Sequence, residues 1–130
     1  MPGLVLDTTV LIDALRGQPA VERLRELRRQ RLPLLTTAVN VEEVVRGLRP
    51  TEQPAAELLF AGLQVLPVRQ QEGELAGRWR RDHATRGVAL HQADCLVAAC
   101  AVSVGARLGT GNPKDFPMPE LEVERWPVGR

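Results

Sequence analysis

Tyrosine is absent from this 130-residue chain, and Phe60, Trp79, Phe116 and Trp126 are its only aromatics. Single-strand binding surfaces stack successive bases on several rings, so this composition argues against that class. Lysine is scarce as well: of 17 basic residues only Lys114 is a lysine, and the rest are arginines. A net charge of +1 is no overall nucleic-acid footprint. The guanidinium groups nevertheless suit bidentate contacts to phosphate better than ammonium groups do. Cysteine is limited to Cys95 and Cys100, five residues apart in one helical stretch. At roughly 100° per residue such positions point apart, so a disulfide is not expected and a reducing compartment is. No apolar run is long enough to span a bilayer. Asp7 and Asp13 interrupt what would be the apolar part of a leader, so a cytoplasmic location is expected.

What is present is ordinary globular composition, 44% hydrophobic and 25% charged, enough for one domain over residues 1–130 with its own core. Leu4-Val5-Leu6 is a short apolar run between Pro2-Gly3 and Asp7-Thr8-Thr9. It predicts a central strand buried on both faces. Asp7 stands where that strand ends, and in open parallel sheets ligands bind beyond the carboxyl ends of strands. Asp7 could equally cap the helix that follows, as could Thr8.

Further along, helices are predicted over 9–16 and 20–31, the second with Val21, Leu24 and Leu27 inward and its arginines facing solvent. Leu34–Thr36 reads as a second strand, and Thr37 as the cap of a helix over 38–48. Val41, Val44, Val45 and Leu48 form that helix's apolar stripe, with Glu42 and Glu43 beside it. A short helix over 54–61, a strand over 64–66 and a helix over 70–86 follow, with His83 read as a surface residue. From Ala93 to Gly105 the only charge is Asp94. A helix apolar on all sides is a buried helix, and a carboxylate in its first turn is favoured by the helix N-terminus. Arg107-Leu108 gives a weak strand before the polar Gly109–Asp115 segment, and Leu121–Arg125 alternates like an edge strand. Strands alternating with helices predict a doubly wound α/β domain with a short, mostly parallel central sheet flanked by helices on both faces.

Asp7, Asp94 and the Asn112/Asp115 segment are all expected at strand ends or helix starts, and a glutamate of the third helix would join them in a carboxylate cluster. Clustered carboxylates repel unless a cation neutralises them. A set of oxygen donors without His or Cys selects hard ions, Mg²⁺ or Mn²⁺, which assist phosphodiester cleavage.

Four segments carry a resemblance: Asp7-Thr8-Thr9-Val10-Leu11-Ile12, Glu43-Val44-Val45-Arg46-Gly47, Asp94-Cys95-Leu96-Val97-Ala98-Ala99 and Thr110-Gly111-Asn112-Pro113-Lys114-Asp115-Phe116. In order and spacing they resemble the signature segments of PIN-domain ribonucleases, and more narrowly the VapC toxins of type II toxin–antitoxin pairs. The resemblance implies a Mg²⁺- or Mn²⁺-dependent endoribonuclease, a homodimer, and neutralisation by a cognate antitoxin. It also implies that Asp7, Glu43 and Asp94 are the core metal-site acids, with Glu43 selected over Glu42 by its spacing to Gly47. Thr9 and Thr110 match the family's hydroxyl positions. The fourth site residue is either Asn112, which stands where the family often has an aspartate, or Asp115. Arg16, Arg46 and Arg86 are candidates for guiding the RNA backbone.

Two other classes fit parts of the pattern. A Mg²⁺-dependent phosphoryl-transfer or receiver-like domain also places aspartates at strand ends, but Thr9 and Thr8 stand where such motifs need a second acid. A catalytically inactive PIN-like binding module is the other, and the presence of all three core acids argues against it.

Overall fold

The computed structural model describes residues 2–17 and 19–128. Five strands form one sheet: β1 (Leu4–Leu6), β2 (Leu34–Thr37), β3 (Gln64–Leu66), β4 (Arg107–Thr110) and β5 (Val123–Arg125). Their spatial order is β3-β2-β1-β4-β5 and every pairing is parallel. The helices are α1 (Thr8–Leu15), α2 (Ala20–Arg29), α3 (Ala38–Arg46), α4 (Gln53–Ala61), α5 (Gln70–Ala84) and α6 (Gln92–Ser103). Two 3-10 turns, Pro50–Glu52 and Pro113–Asp115, complete the elements.

The pleat of β1 explains its composition. Leu4 and Leu6 pack with Val10, Leu11, Leu24, Leu34, Val44 and Trp126 on one face. Val5 packs with Leu35, Leu66, Leu108 and the apolar body of α6 on the other. All three β1 residues are buried, as a strand covered on both faces requires. The chain passes from β1 outward to β2 and β3, then returns across α5 and α6 to β4 on β1's other side. The order of strands therefore reverses between β1 and β4, and a crevice opens beyond their carboxyl ends.

Several local expectations are corrected. The helix expected over 20–31 stops at Arg29, because Arg31 takes a left-handed backbone (φ 60°). Leu32 N–H bonds Leu27 O and Arg31 N–H bonds Arg28 O, a six-residue C-terminal closure usually built on glycine. Gly105 closes α6 in the same way, with Ala106 N–H on Ala101 O. Val21 is only half-buried. Val45, expected inward, is 51% exposed, and the buried residues of α3 are Asn40 and Val44. His83 is buried rather than superficial, its Nδ1 3.0 Å from Trp79 O one turn earlier.

The strand expected to end at Leu108 runs on to Thr110 through Gly109. A Cβ at position 109 would stand 2.8 Å from Trp126 Nε1, so glycine is what admits the buried indole against the sheet. Strand β5 is parallel and begins at Val123; Leu121 lies before it, buried in the core.

Candidate active site at the carboxyl ends of β1 and β4

Asp7 is the N-cap residue of α1 but makes no side-chain capping hydrogen bond. Its carboxylate is engaged elsewhere: Oδ2 accepts from Thr110 Oγ1 at 2.7 Å, and Oδ1 from Asn40 Nδ2 at 3.2 Å. The backbone of Asp7 bonds Gly109 O at 2.9 Å, so β1 and β4 stay paired up to the point where both chains turn away. Thr9 Oγ1 accepts the Gly111 N–H at 2.9 Å and lies 3.5 Å from Thr110 Oγ1. Thr110 Oγ1 accepts the Asn112 N–H at 3.1 Å. The two hydroxyls therefore fold the segment after β4 back over Asp7.

Glu43, on α3, is half-buried and accepts from Thr8 Oγ1 at 2.6 Å, while Glu42 is exposed. Asp94 stands in the first turn of α6, and Asp115 in the 3-10 turn after β4. Residues 88–91, Asp94, Lys114, Asp115 and Pro117 line one groove. Asn112 is exposed, and only its backbone is tied to the site.

The acids act on one another. Burial pushes the Asp94 carboxyl up to about 6, with the charges of Asp7, Asp115 and Glu43 adding to the shift and His91 opposing it. Burial likewise raises the Asp7 carboxyl, and Glu43 adds to it, while the bonds from Thr110, the Thr8 backbone and Asn40 pull the other way. Among the described residues none of Asp7, Glu43, Asp94 or Asp115 forms an ion pair with an arginine or lysine. Among them, too, no three His, Cys, Asp or Glu side chains close into a ready-made ligand cage.

The guanidinium candidates divide. Arg16 is committed to Glu52 at 3.0 Å. Arg46 and Arg86 are exposed, and neither side chain forms an ion pair among the described residues.

The profile of the PIN domain family matches residues 4–116, the span that holds all of these acids, threonines and arginines. The chain belongs to the PIN-domain family. It is similar to Ribonuclease VapC19 of Mycobacterium tuberculosis H37Rv, 32% identical over 120 residues, or 91% of this chain and 96% of that one. In fold it matches a chain of VapBC2 from Rickettsia felis, solved bound to a DNA fragment from their promoter, with a TM-score of 0.84 at 20% identity over 95% of this chain and 98% of that one. DNA-bound VapBC from Salmonella typhimurium gives a TM-score of 0.83 at 24% identity over 97% of this chain and 99% of that one.

Within this PIN fold, the residue that sequence reading passed over is Asn40; Thr37 caps α3 as expected, and Thr8, read only as a possible cap, bonds Glu43 instead. Asn40 has no exposed surface, and its side chain spans Thr37, Asp7 and Thr8. A signal existed: Asn40 and Glu43 are three apart on one helix, hence on one face. An apolar stripe search discards such a residue because it is polar.

Proposed function

We propose that this PIN-domain chain is a VapC-like endoribonuclease toxin that cleaves RNA phosphodiester bonds with Mg²⁺ or Mn²⁺ and is neutralised by a cognate antitoxin. The observation that carries the reading is the set of mutually repelling acids, Asp7, Glu43, Asp94 and Asp115, at the β1/β4 crevice of a chain similar to a ribonuclease. These groups fit a hard divalent ion. Their donors are all oxygen, and among the described residues none of them forms an ion pair with arginine or lysine. Asp7, Glu43 and Asp94 would hold it, with Asp115 or Asn112 completing the site. When bound, the ion supplies an activated water and charge stabilisation at the scissile phosphate.

The chain's own residues do the rest. Thr110 holds Asp7 from the side of β4, and Thr9 fixes the Gly111 backbone, so the fourth segment keeps its place over the crevice. Thr9 also offers a hydroxyl to orient a water beside the acids. Arg46 and Arg86 present guanidiniums to the RNA backbone. Arg16, joined to Glu52, contributes through whatever donors that pair leaves over.

The antitoxin reading rests on the likeness to chains of VapBC complexes. An extended or helical antitoxin segment with an arginine would pair with the same acids and so exclude metal and RNA together. A homodimer is the state the family resemblance implies. A cytoplasmic location accords with the buried, free cysteines; no helix among the described residues is long and apolar enough to cross a membrane.

The test is cleavage of a mixed RNA substrate with Mn²⁺, with Mg²⁺ and with EDTA, alongside co-purification with the product of the adjoining gene. Metal-dependent cleavage suppressed by that product is expected. Cleavage that persists in EDTA would overturn the metal assignment, and no cleavage with either ion would overturn the nuclease.

A further inference from the structure

Beside the acids lies the fully buried Asn40 carboxamide. It has 0% exposure, and both of its ends are used. Oδ1 accepts from Thr37 Oγ1 at 2.7 Å. Nδ2 donates to Asp7 Oδ1 at 3.2 Å and to Thr8 Oγ1 at 3.0 Å. The opposite amide orientation would set Oδ1 against the Asp7 carboxylate, so the acid itself fixes which end faces the crevice. Thr8, accepting from Nδ2, keeps its own proton for Glu43 Oε1 at 2.6 Å. Two hydrogen-bond paths therefore leave one side chain, directly to Asp7 at the end of β1 and through Thr8 to Glu43 on α3.

The anchor of this network is itself hydrogen-bonded on both sides. Thr37 caps α3, its Oγ1 accepting the Asn40 N–H at 3.2 Å, and Thr36 Oγ1 donates to Leu6 O at 2.9 Å across β1 and β2. Helix α3 also presents Asn40 and Val44 inward where the apolar stripe alone would present Val41 and Val45. That rotation leaves Val45 exposed and brings the polar network into the interior. An amide suits the place for an electrostatic reason. It donates to Asp7 directly and to Glu43 through the Thr8 hydroxyl without bringing a positive charge, whereas an arginine there would compete with a cation for the same carboxylates.

We infer that Asn40 is a positioning residue that sets Asp7 and Glu43 at the mutual placement a divalent cation needs, acting on Glu43 through Thr8. The inference rests on the metal-dependent reading above. Groups that orient metal ligands typically contribute 10–100-fold to metal affinity.

The experiment measures Mn²⁺ binding, by loss of the free Mn²⁺ paramagnetic signal, in wild type, Asn40→Leu, Thr8→Val and the double variant. RNA cleavage against Mn²⁺ concentration and metal-free thermal unfolding are recorded in parallel. Asn40→Leu is expected to weaken Mn²⁺ binding about tenfold, and Thr8→Val about threefold. The double variant should match Asn40→Leu alone, because Thr8 transmits what Asn40 sets. A merely structural role would lower the unfolding temperature and leave Mn²⁺ affinity in the folded protein unchanged.

A folded Asn40→Leu protein with wild-type Mn²⁺ affinity overturns the inference. So does a double variant that shows the product of the two single losses. Should Asn40→Leu fail to fold, Thr8→Val decides, and wild-type Mn²⁺ affinity there overturns the relay to Glu43. If wild type itself binds no Mn²⁺, the metal reading falls and the inference with it. If wild type binds and the variants bind equally well, the inference falls alone.

Discussion

Glu124 and Asp94 are both partly buried carboxylates of one small domain, and the protein treats them in opposite ways. Glu124, on β5, is gripped by Arg23 at 2.6 Å, by Arg107 at 2.8 Å and by the Trp126 indole N–H at 3.0 Å. Arg23 also lies over the Trp126 ring, 4.9 Å from its centroid. These partners hold the Glu124 carboxyl below its ordinary range even though burial pushes the other way. Asp94 has the opposite surroundings, with three other acids adding to a burial that lifts it to about 6. Guanidinium groups are abundant in this chain, so their absence around the second carboxylate is a property of the site. A carboxylate that staples the C-terminal strand to α2 and β4 is neutralised internally. A group of carboxylates left to repel one another is suited to a cation from outside.

The sharpest way to break this contrast is to remove acids from the crevice. Asp7→Asn and Asp94→Asn are each expected to abolish metal-dependent RNA cleavage, because the ion loses a principal ligand charge. Metal-free stability should hold or rise, since each change also removes repulsion. Substantial cleavage by either folded variant, measured with Mn²⁺ in excess, would sink the assignment.

A smaller effect separates the two candidates for the fourth position. Asp115→Ala is expected to slow cleavage more than Asn112→Ala. Asp115 contributes charge that reaches Asp94, while Asn112 is tied in through its backbone N–H alone, which alanine retains. The measurement is cleavage rate across a Mn²⁺ series at equal folded fraction. Wild-type behaviour of Asp115→Ala throughout the series would limit the charged site to Asp7, Glu43 and Asp94.

At the other end of the contrast, Glu124→Gln should cost about 1 kcal/mol of stability and leave the cleavage rate at saturating metal unchanged. The figure is modest because both arginines are partly exposed and their pairs are screened. Urea unfolding of the variant checks it. A loss of cleavage without a loss of stability would show that the staple and the crevice are coupled.

A further effect is in pH. Asp94 in the unfolded chain titrates near 3.8, against about 6 in the metal-free native protein. Between those values the native state holds the extra proton, so stability falls as pH rises through the window and levels off above it. Asp94→Asn should flatten that slope in metal-free thermal scans. An unchanged slope would place the titrating group elsewhere.

Much of the architecture was legible in the residues themselves. Leu4–Leu6, apolar at every position, could only be a strand covered on both faces, and the single charge in 93–105 marked a buried helix with an acid at its start. Those features are local, because an element's burial is written in its own composition. The four segments carrying Asp7, Glu43, Asp94 and Thr110–Asp115 were likewise legible as a set. Other features were decided by the tertiary structure. Gly109 extends β4 because Trp126, seventeen residues later, occupies the space where its side chain would stand. His83 is buried although it lies in a polar stretch. Helix α3 turns Asn40 inward and Val45 out. Periodicity reports where apolar side chains recur, and it treats every polar residue as outward. A buried polar residue is allowed only by partners that satisfy it. For Asn40 two of those partners, Asp7 and Thr8, lie more than thirty residues earlier in the chain, beyond the reach of any local pattern.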